Sequence, residues 1–490
     1  MAKAPKHLWS RSVTGKVGDD PCLVIPTYRI TEAAGTVQRY AQNFERYGQD
    51  IPIIVFDDAK GSPSRKKGLD ALASVNYDGP LFYVGESEKS NFLTELQRRT
   101  NLDMGLLKGM FKPSYGGNRN FTQVYTLGSR FMTVDDDMYP FGLREGEKGF
   151  NGTSEGVQVG KGRYLPKDAT DMFRQDTHYN LASAFFDVIG KRVEEVPFLK
   201  GEMIVDSMTD VLTNNTKGNL TRNTLTLVNG EVSPNAIVKV AQSFRTGSSD
   251  VDAADYVREF FRNPVLVSVN DLSKVYVISD YTPCVTSQNW RGDCGVSAYD
   301  NRKGLPPFIP TRLRFEDYLF RIWSTKHRGV ASAHVDAMQT HKRSPYNRPP
   351  LASDYLNEEL SAVLKGELRR LTRSVDDISV KFEDDLRVES GLVESMLKRA
   401  RRLHKTAQEK ALEFPDRRSY FLQFGNALHH EYQRFSEPEF TKYVESTLRE
   451  EFGLLKETLA AWPKIIEEAR KIQIFQRRYA KRIKTVNQNI

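Results

Sequence analysis

At residues 131–137 the chain reads FMTVDDD, an apolar, β-branched run that ends in three consecutive carboxylates. A strand interior does not accept adjacent charges, so the pattern predicts a strand that leaves the core where the aspartates begin. Carboxylate oxygens are the ligands that Mg²⁺ and Mn²⁺ prefer. The stretch therefore indicates either a metal site that holds a phosphate-bearing ligand or an acidic loop in solvent.

Short apolar runs alternate with amphipathic stretches through the first 140 residues. This alternation predicts an α/β fold whose mostly parallel sheet is flanked by helices, and ligands of such sheets bind at the carboxyl ends of the strands. Polar clusters follow three of the predicted strands, at residues 26–29, 57–58 and 135–137. The predicted strands are 22–25, 51–56, 81–84 and 131–134, and the predicted helices are 36–47 and 93–107.

Changes in composition divide the chain into domains. We predict an N-terminal extension at residues 1–19, a principal domain at residues 20–350 and a C-terminal domain at residues 351–490. The C-terminal domain is expected to be helical, because its charged and apolar residues interleave at helical spacing. The principal domain contains an insertion at about residues 141–280, which begins with seven glycines between Gly142 and Gly162. That segment is either a loop that closes over a ligand or a surface insertion.

The composition narrows the functional classes. The chain has 490 residues, a formal net charge of +8 and three cysteines. So few cysteines argue against a disulfide framework, and the lack of a long uncharged apolar run argues against a membrane span. The first residues lead into no apolar signal core, which predicts a cytoplasmic protein. Between Arg470 and Ile490 there are seven Lys or Arg and no Asp or Glu. This basic tail predicts contact with phosphates or an anionic membrane surface, or else a solvated helix end.

Five sequence elements follow one another along the principal domain. They are IPTY at 25–28, VFDDA at 55–59, GGNRN at 116–120, DDD at 135–137, and RFEDYLF at 314–320 after LPPF at 305–308. In this order they resemble the GT-A glycosyltransferases, in particular the large inverting family that includes cellulose, hyaluronan and chondroitin synthases. The resemblance covers residues 20 to about 345, and the C-terminal domain has no counterpart in it. One departure is Arg29, which stands where asparagine is common.

The resemblance implies a nucleotide-sugar donor site with a divalent cation, Mn²⁺ or Mg²⁺. Asp58 would bond the base or ribose, Tyr28 would stack on the base, and Arg119 would hold a phosphate or else form a structural ion pair. The donor-binding residues implied are Pro26, Thr27, Tyr28, Arg29, Asp58, Arg119, Asp135 and Asp136.

The metal ligands implied are Asp137, as the stronger candidate, and Asp135. Alternate side chains of an extended strand share a face, so both carboxylates are expected to converge on one ion, although Asp135 contacting the ribose is the alternative. Some members of the family complete the metal shell with a histidine, for which we expect His341, with His334 as the alternative. An imidazole ligand favours Mn²⁺ over Mg²⁺.

The catalytic base implied by the resemblance is Asp317, because an inverting transfer needs a carboxylate that takes the proton of the acceptor hydroxyl. Glu316 is its neighbour in the acid pair, and the alternative for Glu316 is a favourable charge at a helix start. Trp290 and Asp293 are expected to contact the sugar or the acceptor, and a core position is the alternative for Trp290.

These features predict a metal-dependent glycosyltransferase that uses a nucleotide-diphosphate sugar, a UDP-sugar by preference, with inversion at the anomeric carbon. The acceptor stays open between a glycan, a lipid-linked glycan, a protein and a nucleic acid. The C-terminal domain is expected to form a homodimer, bind the acceptor or approach a membrane surface. The alternatives are a sugar-nucleotide pyrophosphorylase, which usually carries an early glycine-rich phosphate loop that is missing here, and a nucleic-acid-binding protein.

Overall fold

A computed structural model gives the fold of most of the chain. The N-terminal extension and much of the insertion fall outside the residues that it describes. These residues are 21–59, 62–145, 157–159, 162–166, 173–196, 203–204, 219–220, 225–227, 230–248, 275–278, 284–286, 294–313, 316–326, 329–341, 352–376, 379–382, 391–413, 415, 418–433, 437–472, 474 and 476–486.

Helices and strands alternate in the first part of the chain, as expected. The helices are α1 (Ile30–Arg46), α2 (Ser62–Ala73), α3 (Glu86–Thr100), α4 (Met104–Met110), α5 (Tyr115–Tyr125), α6 (Leu181–Phe186), α7 (Tyr318–Lys326), α8 (Ala352–Leu371), α9 (Leu392–Glu413), α10 (Arg418–Gln433) and α11 (Glu437–Ala469). The strands are β1 (Cys22–Thr27), β2 (Ile53–Asp57), β3 (Leu81–Val84), β4 (Arg130–Val134), β5 (Met138–Tyr139), β6 (Phe141–Glu145), β7 (Val157–Val159), β8 (Gly162–Pro166), β9 (Phe173–His178), β10 (Met203–Ile204), β11 (Asn219–Leu220), β12 (Leu225–Leu227), β13 (Gly230–Val232), β14 (Ile237–Ser248), β15 (Val275–Ile278), β16 (Cys284–Thr286), β17 (Val296–Asp300), β18 (Val330–His341), β19 (Thr372–Asp376), β20 (Ser379–Phe382) and β21 (Lys481–Ile483).

The main sheet is mixed, and the fold is α/β. Its strand order is β21-β3-β2-β1-β4-β17-β14-β15-β8-β7, with β18, β16 and β5 joined beside β14. Strands β3, β2, β1 and β4 pair in parallel, whereas β17 pairs antiparallel with both β4 and β14. Strand β14 also pairs in parallel with β18, but the remaining described pairs of this sheet are antiparallel. The expectation of a mostly parallel sheet is therefore not confirmed for the sheet as a whole. The alternation that predicts a parallel sheet is confined to the first 140 residues, whereas the strands next to β4 and beyond it in the sheet order come later in the chain.

The parallel strands are buried on both faces, which explains their continuous apolar sequences. On one face Val24 and Ile54 pack with Phe92 of α3 and Phe121 of α5. On the opposite face, alternate residues of the same strands pack with α1, α2 and α6. Because β1, β2 and β4 run in the same direction, their carboxyl ends meet at one edge of the sheet. This edge positions the polar clusters that follow the strands.

The predicted helix at residues 93–107 is two helices. Asn101 has a φ of 52° and ends α3 in the left-handed conformation. Asp103 then starts α4, since its side chain accepts a hydrogen bond from the backbone N–H of Leu106 at 2.9 Å. The apolar spacing continued across this break and gave no signal of it.

The C-terminal region packs against the main sheet through helices and through one strand. Trp462 of α11 is fully buried and donates its indole N–H to the carbonyl of Leu305 at 2.7 Å. After α11 the chain returns to the sheet, where β21 pairs antiparallel with β3, with Ile483 opposite Leu81. The basic tail thus includes an edge strand rather than a helix end. No helix within the described ranges is long and apolar enough to cross a membrane.

A buried ion pair at the end of β17 yields a stability prediction. Asp300 is 1% exposed and contacts Lys239 at 2.7 Å and Arg302 at 2.8 Å. Burial acts to raise the pKa of Asp300, but the bonds and charges of Arg302 and Lys239 outweigh it and lower the pKa to about 2. A depressed carboxyl pKa stabilises the fold above the unfolded-state value near 3.9 and loses that contribution as the pH falls towards 2.

We expect Asp300→Asn to lower the free energy of unfolding by about 2 kcal/mol at pH 6, because the substitution removes this pKa difference. Roughly half of the deficit should remain at pH 3. Urea unfolding of both proteins at the two pH values measures it. A deficit that is equal at pH 6 and pH 3 would contradict the assignment.

Candidate functional site

The carboxyl end of β1 contacts the aspartate turn that follows β4. The hydroxyl of Thr27 donates to the carboxylate of Asp136 at 2.5 Å, and the guanidinium of Arg29 pairs with the same carboxylate. Thr36 of α1 also donates to the backbone carbonyl of Asp136. Asp136 is 6% exposed, and burial raises its pKa against the opposing effects of Thr27 and Arg29. This aspartate therefore holds β1, α1 and the turn together.

Asp137 lies between a guanidinium and an imidazole. Its Oδ2 is 3.0 Å from Nη2 of Arg29, and its Oδ1 is 3.4 Å from Nε2 of His341. Burial acts to raise the pKa of Asp137, but His341 and Arg29 together outweigh it and lower the pKa to about 2. His341 comes close because the last residues of β18 pair with β5, with His341 opposite Met138. A carboxylate oxygen of Asp137 and an imidazole nitrogen of His341 therefore lie next to each other.

Asp135 points to a different partner. Its carboxylate oxygen Oδ1 is 2.9 Å from Nη2 of Arg119, and its side chain is 45% exposed. Strand β4 ends at Val134, and a turn follows in which the N–H of Met138 bonds to the carbonyl of Asp135 at 3.1 Å. The expectation that Asp135 and Asp137 share a face assumed extended backbone. In this turn they have separate cationic neighbours.

Arg119 of α5 links the aspartate turn to the acid pair. Its side chain is 8% exposed, and its Nε lies 3.6 Å from the Oε1 of Glu316. The same guanidinium donates to the backbone carbonyl of Cys294 at 3.3 Å. A buried guanidinium with two carboxylate neighbours is a strong anion-binding group once a ligand displaces either carboxylate.

Two glycines at the start of α5 allow close backbone approaches, Gly116 to the loop before the acid pair and Gly117 to the segment that precedes α5. A Cβ atom built on Gly116 would lie 1.8 Å from the carbonyl oxygen of Ile309 and 3.3 Å from the Cβ of Glu316. A Cβ atom on Gly117 would lie 2.0 Å from the carbonyl of Lys112. The GGNRN sequence therefore combines a close backbone approach, at its glycines, with the guanidinium that meets Glu316.

A buried lysine, which the sequence analysis missed, organises the end of β2. Lys89 of α3 donates to Asp58 Oδ1 at 2.5 Å, to the backbone carbonyl of Asp57 at 2.9 Å and to Asn118 Oδ1 at 2.8 Å. Burial lowers the pKa of Lys89, while the charge of Asp58 acts in the opposite direction. All three ammonium donors have acceptors, so Lys89 positions Asp58 rather than acting as a nucleophile.

The three clusters form one continuous edge. The backbone N–H of Asp58 bonds to the carbonyl of Thr27 at 2.8 Å, which joins the ends of β2 and β1. Asn118 bonds Lys89 in one cluster, and the next residue, Arg119, bonds Asp135 in another. Each cluster matches strand-tip carboxylates with one buried or half-buried cation, namely Arg29, Lys89 or Arg119.

The remaining predicted residues are distributed around this edge. Tyr28 is 63% exposed, and the guanidinium of Arg29 lies 5.4 Å from the centre of its ring. Asp317 lies directly before α7, with its carboxylate 13% exposed and 3.9 Å from Arg321. Pro26 lies within β1, opposite Phe56. Trp290 and Asp293 fall outside the described residues.

His334 lies away from the aspartate turn. It precedes His341 by seven residues in β18, which corresponds to about 23 Å of extended chain. It is 2% exposed, and its ring packs 5.0 Å from that of Phe244. Of the two predicted histidines, the structure brings His341 to Asp137.

The donor set is suited to a metal ion that is partly held by its ligand. Among the described residues, no three His, Cys, Asp or Glu side chains gather as a complete protein-only site. Asp137 Oδ1 and His341 Nε2 nevertheless supply one oxygen and one nitrogen donor within 3.4 Å of each other. Ions that serve phosphate chemistry commonly take one or two protein ligands and fill the other positions with phosphate oxygens and water. The pair fits such an ion, and the nitrogen donor favours Mn²⁺.

Comparison with known proteins identifies no relative. No protein-family profile, no curated protein sequence and no solved structure matches this chain.

The close approach at Gly116 yields a second prediction. We expect Gly116→Ala to destabilise the fold by about 1–3 kcal/mol, because the added methyl group meets a backbone carbonyl that cannot rotate away. Gly35→Ala is the matched control, since its added methyl group meets no atom within 4 Å and α1 should gain about 0.5–1 kcal/mol. Urea unfolding compares the two variants. Equal free energies of unfolding would show that the loop does not press on α5.

Proposed function

We propose that the protein is a metal-dependent glycosyltransferase with a GT-A-like nucleotide-binding fold. In this proposal it moves a sugar from a nucleotide-diphosphate sugar, a UDP-sugar by preference, to an acceptor hydroxyl with inversion. The observation that carries the proposal is the assembly of the strand-tip clusters into one edge. Residues from five separated motifs meet there, including Asp58, Arg119, Asp137 and Glu316.

The nucleoside would bind at the ends of β1 and β2. Asp58 is held by Lys89, so its carboxylate offers an oriented acceptor for a ribose hydroxyl or a base N–H. Tyr28 follows Thr27, whose carbonyl accepts the N–H of Asp58, and it presents an exposed ring that would stack on the base. The buried lysine supports this role because it fixes Asp58 without occupying the solvent side of the edge.

The diphosphate would bind between Arg29 and Arg119. Both guanidinium groups are now neutralised by carboxylates, and phosphate oxygens would be alternative partners of the same geometry. Asp137 and His341 would hold Mn²⁺ or Mg²⁺ beside them. When bound, the ion neutralises the diphosphate and acts as a Lewis acid towards the leaving group.

The acid pair would supply the proton acceptor. In a single displacement the acceptor oxygen forms a bond to the anomeric carbon while the bond from that carbon to the diphosphate oxygen breaks. The hydroxyl proton passes to the carboxylate of Asp317, and the electron pair of the broken bond leaves with the diphosphate. Glu316 is the positioning residue, because its contact with Arg119 connects the acid pair to the diphosphate side of the site.

The donor class can be tested by thermal shift. A panel of UDP-, GDP- and dTDP-sugars, each with and without Mn²⁺, should give a rise in melting temperature that needs both the metal and one nucleotide, since a ligand that binds only the folded state stabilises it. The proposal is contradicted if none of the nucleotide sugars raises the melting temperature, or if the rise is equally large without Mn²⁺.

Variants of the metal pair test the same site. We expect Asp137→Asn and His341→Ala each to weaken Mn²⁺-dependent donor binding at least about tenfold, measured by calorimetric titration. Asp336→Asn is the matched control, because Asp336 is the exposed residue in the middle of the same strand, β18. Equal affinities in all three variants would show that the metal binds at another site.

A variant of the proposed base separates chemistry from binding. We expect Asp317→Asn to slow sugar transfer, or hydrolysis of the identified donor, by about 10²–10⁴-fold with donor affinity unchanged, because only the proton acceptor is lost. The turnover of donor under saturating conditions measures this. Normal turnover would show that another group accepts the proton of the acceptor hydroxyl.

A further inference from the structure

A second groove lies outside the candidate site, between α2 and the edge strand β21. It has a volume of about 510 Å³ and is open to solvent along its length. Its floor is made of apolar side chains from both elements, and its rim is basic. The lining residues are Leu69, Asp70, Ala73, Arg477, Ala480, Lys481, Arg482, Ile483 and Lys484.

Most of the positive charge of this groove is uncompensated. Arg477, Lys481 and Lys484 are exposed, and within the described part of the chain none of the three has a carboxylate in ion-pair range. Arg482 lies near enough to Asp50 for its charge to act on that carboxyl group. Asp70 is the one carboxylate among the described lining residues, so four cations face one anion. Lys66 and Lys67, both exposed on α2, add to the positive field.

The groove is separate from the strand-tip edge. The order β21-β3-β2 places two strand steps, or about 10 Å, between β21 and β2, the nearest strand of the candidate site. Ile483 also pairs with Leu81, the first residue of β3, so the groove extends towards the amino end of the strand. The candidate site lies at the carboxyl ends. A ligand of the groove and a ligand of the candidate site would therefore occupy different surfaces.

We propose that this groove binds the backbone of a single-stranded nucleic acid. Its cations are spread along the chain at residues 477, 481 and 484 rather than converging on one point, which suits a row of phosphates better than a single phosphate. Leu69 and Ala73, the half-buried members of its apolar floor, suit the faces of bases. A bilayer is flat and would leave that concave floor unoccupied. The proposal does not depend on the proposed transferase activity.

The test is fluorescence polarisation of the full-length protein with a labelled single-stranded oligonucleotide, across a range of salt concentrations. The variant Arg477→Gln/Lys481→Gln/Lys484→Gln should weaken binding at least tenfold at low salt and reduce the slope of log K against log salt by about 2, because three phosphate contacts are lost. Arg401→Gln/Lys405→Gln/Lys442→Gln is the matched control, since it removes the same charge from exposed positions of α9 and α11.

The control variant should bind like the wild type, and both triple variants should keep the melting temperature of the wild type. Three results overturn the proposal: no binding of the oligonucleotide by the wild type at low salt, equal losses in the two triple variants, or binding to phosphatidylserine vesicles that the oligonucleotide does not displace. The last result would assign the groove to a membrane surface.

Discussion

The candidate site depends on the pairing of strand-tip carboxylates with cations that approach from helices or loops. Asp58, Asp135, Asp136 and Asp137 gather at one edge of the sheet, and such a group would repel itself if it were left uncompensated. Lys89, Arg119 and Arg29 supply the compensation at distances of 2.5 Å, 2.9 Å and 3.0 Å to Asp58, Asp135 and Asp137. In the proposed function Arg29 and Arg119 would exchange these carboxylates for phosphate oxygens, whereas Lys89 would keep Asp58 in place.

Helix α11 contacts the chain segment that leads to the acid pair. Trp462 anchors α11 to the carbonyl of Leu305, and Arg312 lies 3.4 Å from Glu451 of the same helix. Between these two contacts the chain presses Ile309 against Gly116, and the acid pair follows. The position of Glu316 and Asp317 is therefore determined by packing between the sheet domain and α11. A region without a counterpart in the resemblance contributes directly to the geometry of the site.

Local sequence patterns predicted the strands well and their partners poorly. The strand at residues 81–84 is confirmed with both ends correct, since a short apolar run between polar residues depends mainly on its own sequence. The direction in which β17 pairs with β4 has no local signal, and neither does the turn that separates Asp135 from Asp137. Lys89 was missed because it follows Glu88 in an ordinary amphipathic helix. Its role arises from its contacts with Asn118 and Asp58, which lie 29 and 31 positions away in the sequence. The sequence motifs and the family resemblance did identify Arg29, Arg119, Asp137 and His341, and the structure places these side chains along one edge.

In the proposed function Asp137 and His341 belong to a site for a cation-bridged diphosphate. Crystals grown with UDP and Mn²⁺, measured at the manganese absorption edge, test this assignment most directly. We expect one anomalous peak within bonding distance of Asp137 Oδ1 and His341 Nε2, with the diphosphate between Arg29 and Arg119. A manganese peak on any other surface, or UDP bound away from the ends of β1, β2 and β4, would contradict it.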